Sequence, residues 1–394
     1  MEAAPKSLRL HIALLGRVNA GKSSFLNLVT GQDVSITSDI AGTTTDVVEK
    51  TQELLPIGPV VWLDTAGIND ETQLGEQRRQ KTKRILDKAD VAVLVCNGAE
   101  FAEPEQEILK ECETRKIPVI KVYNKADVSS APNDGIKVNS LDKSSRDQVL
   151  NALKAELIKI VPEDFIKAPA LLGDLVPPHS TVILLTPIDK EAPKGRLIMP
   201  QVQAIRDALD YDNIVLVVKE NQYEQALQSL KKKPDLVVCD SQVVDFMVEK
   251  TPADIKCTTF SILFARLKGD LLKQAEGAKM IAKLENGDKV LIAEACTHHA
   301  IEDDIGRVKI PNWLKKKTGK SLEIDHVAGC MFPEKLNEYK LVIQCGGCTQ
   351  NRREILSRIH KCESAGVAIT NYGICISELK GVLDRVMEPF KAEK

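Results

Sequence analysis

The chain has 394 residues, and its 54 Lys and Arg nearly cancel its 56 Asp and Glu, leaving a formal net charge of −2. That balance, with aromatics at only 4 %, argues against bulk electrostatic capture of nucleic acid and against base-stacking platforms. Hydrophobic residues at 43 % and charged residues at 28 % give an ordinary globular composition, at a length suited to two or three domains.

The N-terminal stretch MEAAPKSLRLHIALLG has no secretory pattern, and no apolar run is long enough to span a membrane. The expectation is a cytoplasmic chain without nucleic-acid or membrane partners. In a reducing compartment its ten cysteines are not a disulfide framework. Cys96, Cys239 and Cys375 lie in apolar runs and read as small buried hydrophobes, as do Cys112, Cys257, Cys330 and Cys362.

Strand-length apolar runs alternate with amphipathic stretches, which predicts an α/β chain with mostly parallel sheets. Joints are expected near 162–180, where prolines cluster, and near 265–290, a helical stretch closed by Asn286-Gly287. They divide the chain into about 1–165, 170–265 and 266–394.

In the first segment the strand LRLHIALLG runs into Gly16-Arg17-Val18-Asn19-Ala20-Gly21-Lys22-Ser23, followed by Ser24 and a helical stretch. This is G-x-x-x-x-G-K-S in strand–loop–helix context, the pattern of a loop whose N–H groups close around phosphates. Lys22 is placed to reach the β- and γ-phosphates and Ser23 to ligate Mg²⁺. VVWLDTAG ends in Asp64-Thr65-Ala66-Gly67: Asp64 suits water-mediated Mg²⁺ binding, and the Gly67 N–H suits sensing of the γ-phosphate. IPVIKVYNKAD ends in Asn124-Lys125-Ala126-Asp127, where a carboxylate pairs with guanine N1–H and its exocyclic amine, so the nucleotide is GTP.

These motifs resemble a TRAFAC-class GTPase of the TrmE–Era branch. The resemblance extends to Asp39-Ile40-Ala41-Gly42-Thr43-Thr44-Thr45-Asp46, which makes Thr44 the Mg²⁺-binding threonine of switch I. It makes Asn19 a K⁺ ligand, a cation able to replace an arginine finger. No Gln follows Gly67, since Ile68 stands there, and Glu76 lies where TrmE-like proteins place a distant catalytic glutamate. Asn139-Ser140-Leu141 matches the fifth guanine-contacting motif, through Ser140.

The middle segment offers STVILLTPID, NIVLVVKE, DLVVCD and KCTTFSIL as strands, without a catalytic constellation. An interface role, hence a homodimer, is the expectation there.

In the last segment KVLIAEA runs into Cys296-Thr297-His298, and YKLVIQ into Cys345-Gly346-Gly347-Cys348, followed by a helix and then VAITNYGICIS as a strand. Ligand-type residues at C-terminal strand ends suit a site of an open α/β sheet. Three readings stand on the residues alone: a redox dithiol, a Cys₃His zinc site, and a 4Fe–4S cluster on three cysteines with a labile fourth position.

Across all three segments the chain resembles the HydF family, the GTPase scaffolds of FeFe-hydrogenase maturation. The carriers of that resemblance are the TrmE-like GTPase, C-x-H and the distant C-G-G-C. It implies a 4Fe–4S cluster on Cys296, Cys345 and Cys348, with His298 the candidate fourth ligand beside His299 and Glu302-Asp303-Asp304. The family often has His where this chain has Gln344. It implies GTP hydrolysis and a scaffold that takes a two-iron precursor from radical-SAM maturases to apo FeFe-hydrogenase. The competing expectation is a TrmE/Era-like GTPase acting on RNA or ribosomes with a structural zinc domain.

Overall fold

The computed structural model describes residues 6–17, 19–31, 48–64, 75–97, 101, 103–125, 132, 134–161, 169–187, 197–295, 304–329, 332–333, 335 to 391. Two compact units divide the chain at Ala168 and Pro169. No helix among the described residues is long and apolar enough to cross a membrane.

The first unit holds a six-stranded sheet: β1 Leu10–Leu15, β2 Val48–Leu54, β3 Gly58–Asp64, β4 Val91–Asn97, β5 Val119–Asn124 and β6 Ile136–Val138. Their order is β2-β3-β1-β4-β5-β6, and only β2 runs antiparallel to its neighbour. All six residues of β1 are buried, because both sheet faces are covered. Alternate side chains serve the two faces. Leu10, Ile12 and Leu14 pack with Phe25 and Leu153, while Ala13 and Leu15 pack with Ile85 and Cys112. Helices Lys22–Thr30 and Arg146–Ile160 therefore cover one face, and Gly75–Lys88 and Glu103–Thr114 the other.

The second unit contains two four-stranded parallel sheets. The first comprises β7 Thr181–Leu185, β8 Ile214–Val218, β9 Leu236–Cys239 and β10 Lys256–Thr259, in the order β10-β9-β7-β8. The other comprises β11 Lys289–Ala293, β12 Glu323–Val327, β13 Leu341–Gln344 and β14 Ala368–Asn371, in the order β12-β11-β13-β14. One apolar cluster takes Ile183 and Val237 from the first sheet, Val290 and Ile343 from the second, and Ile374 from the helix after β14, so the two sheets share a core. The proline-rich stretch from 169 to 180 is docked on this unit. Leu171 and Leu172 are buried, and the Asp207 carboxylate accepts the N–H groups of Leu171, Leu172 and Gly173 at 2.8–2.9 Å.

Three expected elements differ. KCTTFSIL is a strand only to Thr259, whose side chain caps the helix Phe260–Lys268 by accepting the Ile262 N–H at 3.2 Å. VAITNYGICIS likewise turns at Asn371, which accepts the Ile374 N–H at 2.8 Å and opens the helix Tyr372–Leu379. Buried Cys375 thus lies on a helix. The stretch 265–290 is broken at Gly269 into the end of one helix, a second at Leu271–Ala278 and a 3-10 turn at Lys279–Lys283. Cys96, Cys112, Cys239, Cys257 and Cys362 are buried as expected, and Cys330 lies outside the described residues.

His11 gives the first unit a pH dependence. Burial in β1 lowers its pKa from 6.5 to about 4, against the opposing pull of its hydrogen bond to the Arg9 carbonyl. The unfolded chain binds the proton at the higher pKa, so stability is full above about pH 6.5 and falls as pH drops toward 4. The shift corresponds to about 3 kcal/mol lost across that window. Denaturation of His11→Asn against the wild type from pH 7 to 4 should show a shallower decline in the variant.

Candidate functional site

The P-loop follows β1 and opens the helix Lys22–Thr30, capped by Gly21. Gly21 has φ +90°, and a Cβ there would meet Asn124 Nδ2 at 1.9 Å, so only glycine fits. The closeness reflects a built contact. Asn124, at the end of β5, donates from Nδ2 to the Ala20 carbonyl at 2.9 Å and accepts the Ser140 N–H at 3.1 Å. One buried amide thereby joins the P-loop, the Asn124-Lys125 turn and the Ser140 loop. Ser140 Oγ is buried without a hydrogen-bond partner among the described residues.

Lys22 Nζ donates to the carbonyls of Gly16 and Arg17 at 3.0 and 2.8 Å. Asn19 is exposed at φ +62° and Lys125 at φ +58°, conformations that short turns impose. Ser23 and Ser24 lie in the first turn of the helix, among the N–H groups that favour an anion. Asp64 ends β3, opposite Leu14 of β1, and is 1 % exposed. Thus Gly16, Asn19, Ala20, Gly21, Asp64, Asn124, Lys125 and Ser140 stand at C-terminal strand ends or on loops leaving them, and Lys22, Ser23 and Ser24 in the first turn of the helix that follows the P-loop. Thr44, Gly67 and Asp127 lie outside the described residues. So does the side chain of Glu76, whose backbone belongs to the helix Gly75–Lys88.

A charged pair beside the P-loop was not anticipated. Arg17 Nε donates to Glu105 Oε1 at 2.5 Å, and the Glu105 side chain is fully buried in the first turn of Glu103–Thr114. No local signal pointed to it, since Glu105 lies 88 residues from Arg17 in sequence.

The cysteine site is organised by β11 and β13. Ala293 aligns with Gln344, and the Cys345 N–H donates to the Ala293 carbonyl at 2.9 Å. The Ala295 N–H donates to Cys345 Sγ at 3.0 Å. Ala295 directly precedes Cys296, which together with His298, His299, Glu302 and Asp303 lies outside the described residues. Gly347 takes φ +61°, which lets the chain fold back so that its N–H also bonds the Cys345 sulfur. Cys348 is exposed. Asp304 accepts the Arg307 N–H at 2.8 Å as a helix cap. Gln344 is 2 % exposed, and its Oε1 has no hydrogen-bond partner among the described residues.

Burial pushes the Cys345 thiol up to about 11, against the pull of the Gly347 and Ala295 N–H groups and of Arg358. Such a thiol is not activated as a dithiol nucleophile, whereas a soft metal would displace its proton outright. The donor chemistry therefore suits a thiolate-bound metal centre. Among the described residues no three Cys, His, Asp or Glu side chains converge on one point. Two cations face the pair. Arg358, 5 % exposed, donates from Nη2 to the Gly329 carbonyl at 2.9 Å and stacks on the Phe332 ring. Lys268, 1 % exposed, donates from Nζ to the carbonyls of Gly347, Cys348 and Gln350 at 3.0–3.5 Å. Burial lowers its pKa to about 8.

Three family models match the chain in succession. A 50S ribosome-binding GTPase model matches residues 11–125. The dimerization domain of hydrogen maturase F matches 171–269, and its tetramerization domain matches 272–389. The chain belongs to the hydrogen maturase F family. Among curated relatives, tRNA modification GTPase MnmE of Chromobacterium violaceum is 34 % identical over 159 residues, 39 % of this chain and 35 % of that one. GTPase Der of Wolinella succinogenes is 36 % identical over 134 residues, 33 % of this chain and 28 % of that one. The chain thus spans about a third of the length of these relatives. Era of Aquifex aeolicus aligns at TM-score 0.24 and 17 % identity over 81 % of this chain and 92 % of that one, a likeness too slight to bear on the fold. The hydrogen maturase F domains cover Cys345 and Cys348 as well as Cys296, and the GTPase model covers the P-loop, Asp64 and Asn124.

Proposed function

We propose that this chain hydrolyses GTP to GDP and phosphate, and that it holds a 4Fe–4S cluster on Cys296, Cys345 and Cys348. On this reading it is a scaffold that accepts a two-iron precursor made by radical-SAM maturases and delivers it to apo FeFe-hydrogenase. The observation that carries the reading is the coincidence of two sets of evidence on one segment. The maturase-specific domain spans all three cysteines, and within it β11 and β13 run side by side toward them. A bound cluster would supply an iron with an exchangeable fourth ligand, His298 being the candidate. Cys296, Cys345 and Cys348 would hold it, with the Ala295 and Gly347 N–H groups orienting the Cys345 sulfur and buried Arg358 offsetting its charge. The ribosome-directed alternative with a structural zinc domain fits the first 125 matched residues, but does not account for the match of 171–269 and 272–389 to hydrogen maturase F domains.

Anaerobically prepared protein should be brown, with broad absorption near 400 nm. Cys345→Ala should lose most of its iron and fail to activate apo-hydrogenase. A colourless, zinc-loaded protein, or an active Cys345→Ala chain, would overturn the cluster assignment.

For GTP, Lys22 exchanges its bonds to the Gly16 and Arg17 carbonyls for β- and γ-phosphate oxygens, a charge-assisted trade. Ser23, Thr44 and Asp64 hold Mg²⁺, Gly67 reads the γ-phosphate, and Asn124, Asp127 and Ser140 hold guanine. Glu76 is the candidate distant catalytic carboxylate. On this reading Asn19, exposed at φ +62°, offers its side-chain oxygen to K⁺ beside the phosphates. GTP turnover should rise about tenfold or more when Na⁺ is replaced by K⁺, less than an arginine finger provides. Asn19→Ala should abolish the difference, and equal rates in the two salts refute the assignment.

The middle segment suits self-association. β8 is an edge strand, yet Ile214 is 62 % and Val217 40 % exposed, and Leu209 of the helix packed on it is 55 % exposed. An apolar edge invites strand pairing, here with the same edge of a second copy. Light scattering should find a homodimer or a multiple of it, with Ile214→Lys shifting toward monomer. A monomeric wild type disproves the assignment.

A further inference from the structure

We propose that Lys268 is a positioning residue of the cysteine site. It fastens the Cys345–Cys348 loop and supplies the buried positive charge against which an anionic thiolate–metal centre is held. This rests on the proposal above that the cysteines bind metal.

Lys268 ends the helix Phe260–Lys268, in the segment matched by the dimerization-domain model, and has no counterpart in any motif of the chain. Its ammonium crosses some eighty residues of sequence to reach the cysteine loop. Nζ lies 3.3 Å from the Gly347 carbonyl, 3.5 Å from that of Cys348 and 3.0 Å from that of Gln350. A fourth contact is the Phe264 ring, 5.4 Å from Nζ to its centroid. No carboxylate of the described residues lies within ion-pair distance of it.

That set is unusual for a lysine only 1 % exposed. A buried ammonium loses several kcal/mol of hydration, and carbonyl dipoles with a ring face return only part of it. The helix C-terminus at which it stands adds a favourable partial charge and nothing more. Glu354 is the one carboxylate of the described residues whose charge reaches it, from beyond ion-pair distance, and the loop that Lys268 grips is the one bearing Cys345 and Cys348. Thiolates on a divalent metal or an iron–sulfur core carry net negative charge, so the bound centre itself is the counter-ion.

The grip also has a direction. With the Gly347, Cys348 and Gln350 carbonyls turned to Nζ, the Gly347 N–H is free to face the Cys345 sulfur. Gly347, at φ +61°, makes that reversal sterically permissible. Lys268 therefore holds the loop with its acceptors toward the buried cation and its donor toward the metal-binding sulfur.

The test uses Co²⁺ alone as probe, titrated anaerobically into metal-free full-length protein and followed by sulfur-to-cobalt charge-transfer absorption. Two variants separate charge from fastening. Lys268→Met removes both, while Lys268→Gln keeps N–H donors and loses the charge. Both should weaken Co²⁺ binding about tenfold or more, the usual effect of losing a partner behind the ligands. Far-UV dichroism and GTP turnover should match the wild type. Reconstituted with iron and sulfide, both should show a lower midpoint potential, a shift that loosened packing alone does not impose in one direction. Wild-type affinity and potential in Lys268→Gln would overturn the charge role, and in Lys268→Met the whole proposal. A wild-type protein without the charge-transfer band sinks the metal-site reading, and Lys268 with it. A wild-type band alongside unchanged variants sinks Lys268 alone.

Discussion

Parallel strands release their chains on one side of the sheet, and in this protein almost every chemistry-bearing residue depends on that. β1, β3 and β5 run parallel within one sheet, so the P-loop, Asp64 and Asn124 emerge at one edge. β11 and β13 run parallel in another, with Ala293 beside Gln344, so the chain leading to Cys296 leaves next to Cys345. A single-residue slip between β11 and β13 would move the bond between the Cys345 N–H and the Ala293 carbonyl and turn the alternating core residues outward. Burial on both faces resists such a slip: Val290, Leu291, Ile292 and Ala293 are all fully buried, as are Leu341, Val342 and Ile343.

Above those strand ends, each unit relies on one buried polar side chain that ties loops together. In the first unit Asn124 spans from the Ala20 carbonyl to the Ser140 N–H. An amide suits the place because it offers a donor and an acceptor at once, and neither partner is charged. In the second unit the hydrogen-bond partners of Lys268 are three carbonyls, where a pure donor with three hydrogens is the matching group. Neither residue need touch the ligand to set the shape of the loop that does.

The α/β class with mostly parallel sheets was legible because buried strands such as VAVLVC and KVLIAEA are short apolar runs bounded by polar punctuation. The same rule misread FSIL and YGICIS, which continue apolar strand runs without a break and are helical. Their caps were written in the chain. Thr259 and Asn371 each stand three residues before the amide they bind, and that local bond outweighs a weak strand propensity. β12 escaped for the opposite reason, since EIDHV is a half-exposed edge strand with little apolar signal. At the sites, motif residues with local spacing could be read directly. Glu105 and Lys268 could not, because their partners lie 88 and about 80 residues away and only the fold brings them together.

Both loops have positive charge or N–H donors turned toward them, though by different means. The P-loop uses transient donors: helix N–H groups and a lysine whose bonds to neutral carbonyls are weak enough to give up for phosphate. A nucleotide site has to release its occupant, so a cation that can return to the Gly16 and Arg17 carbonyls suits turnover. The cysteine site has fixed cations instead. Arg358 is held by the Gly329 carbonyl and the Phe332 ring, and Lys268 by three carbonyls in a pocket closed to water. Neither has an exposed alternative to swing to, so both stay beside the cysteine loop whatever it holds, Arg358 as a fixed charge and Lys268 as one that burial brings to a pKa of about 8. On the proposed scaffold reading, cations fixed beside the thiolates favour a cargo attached at the labile position, with the centre on the thiolates left behind.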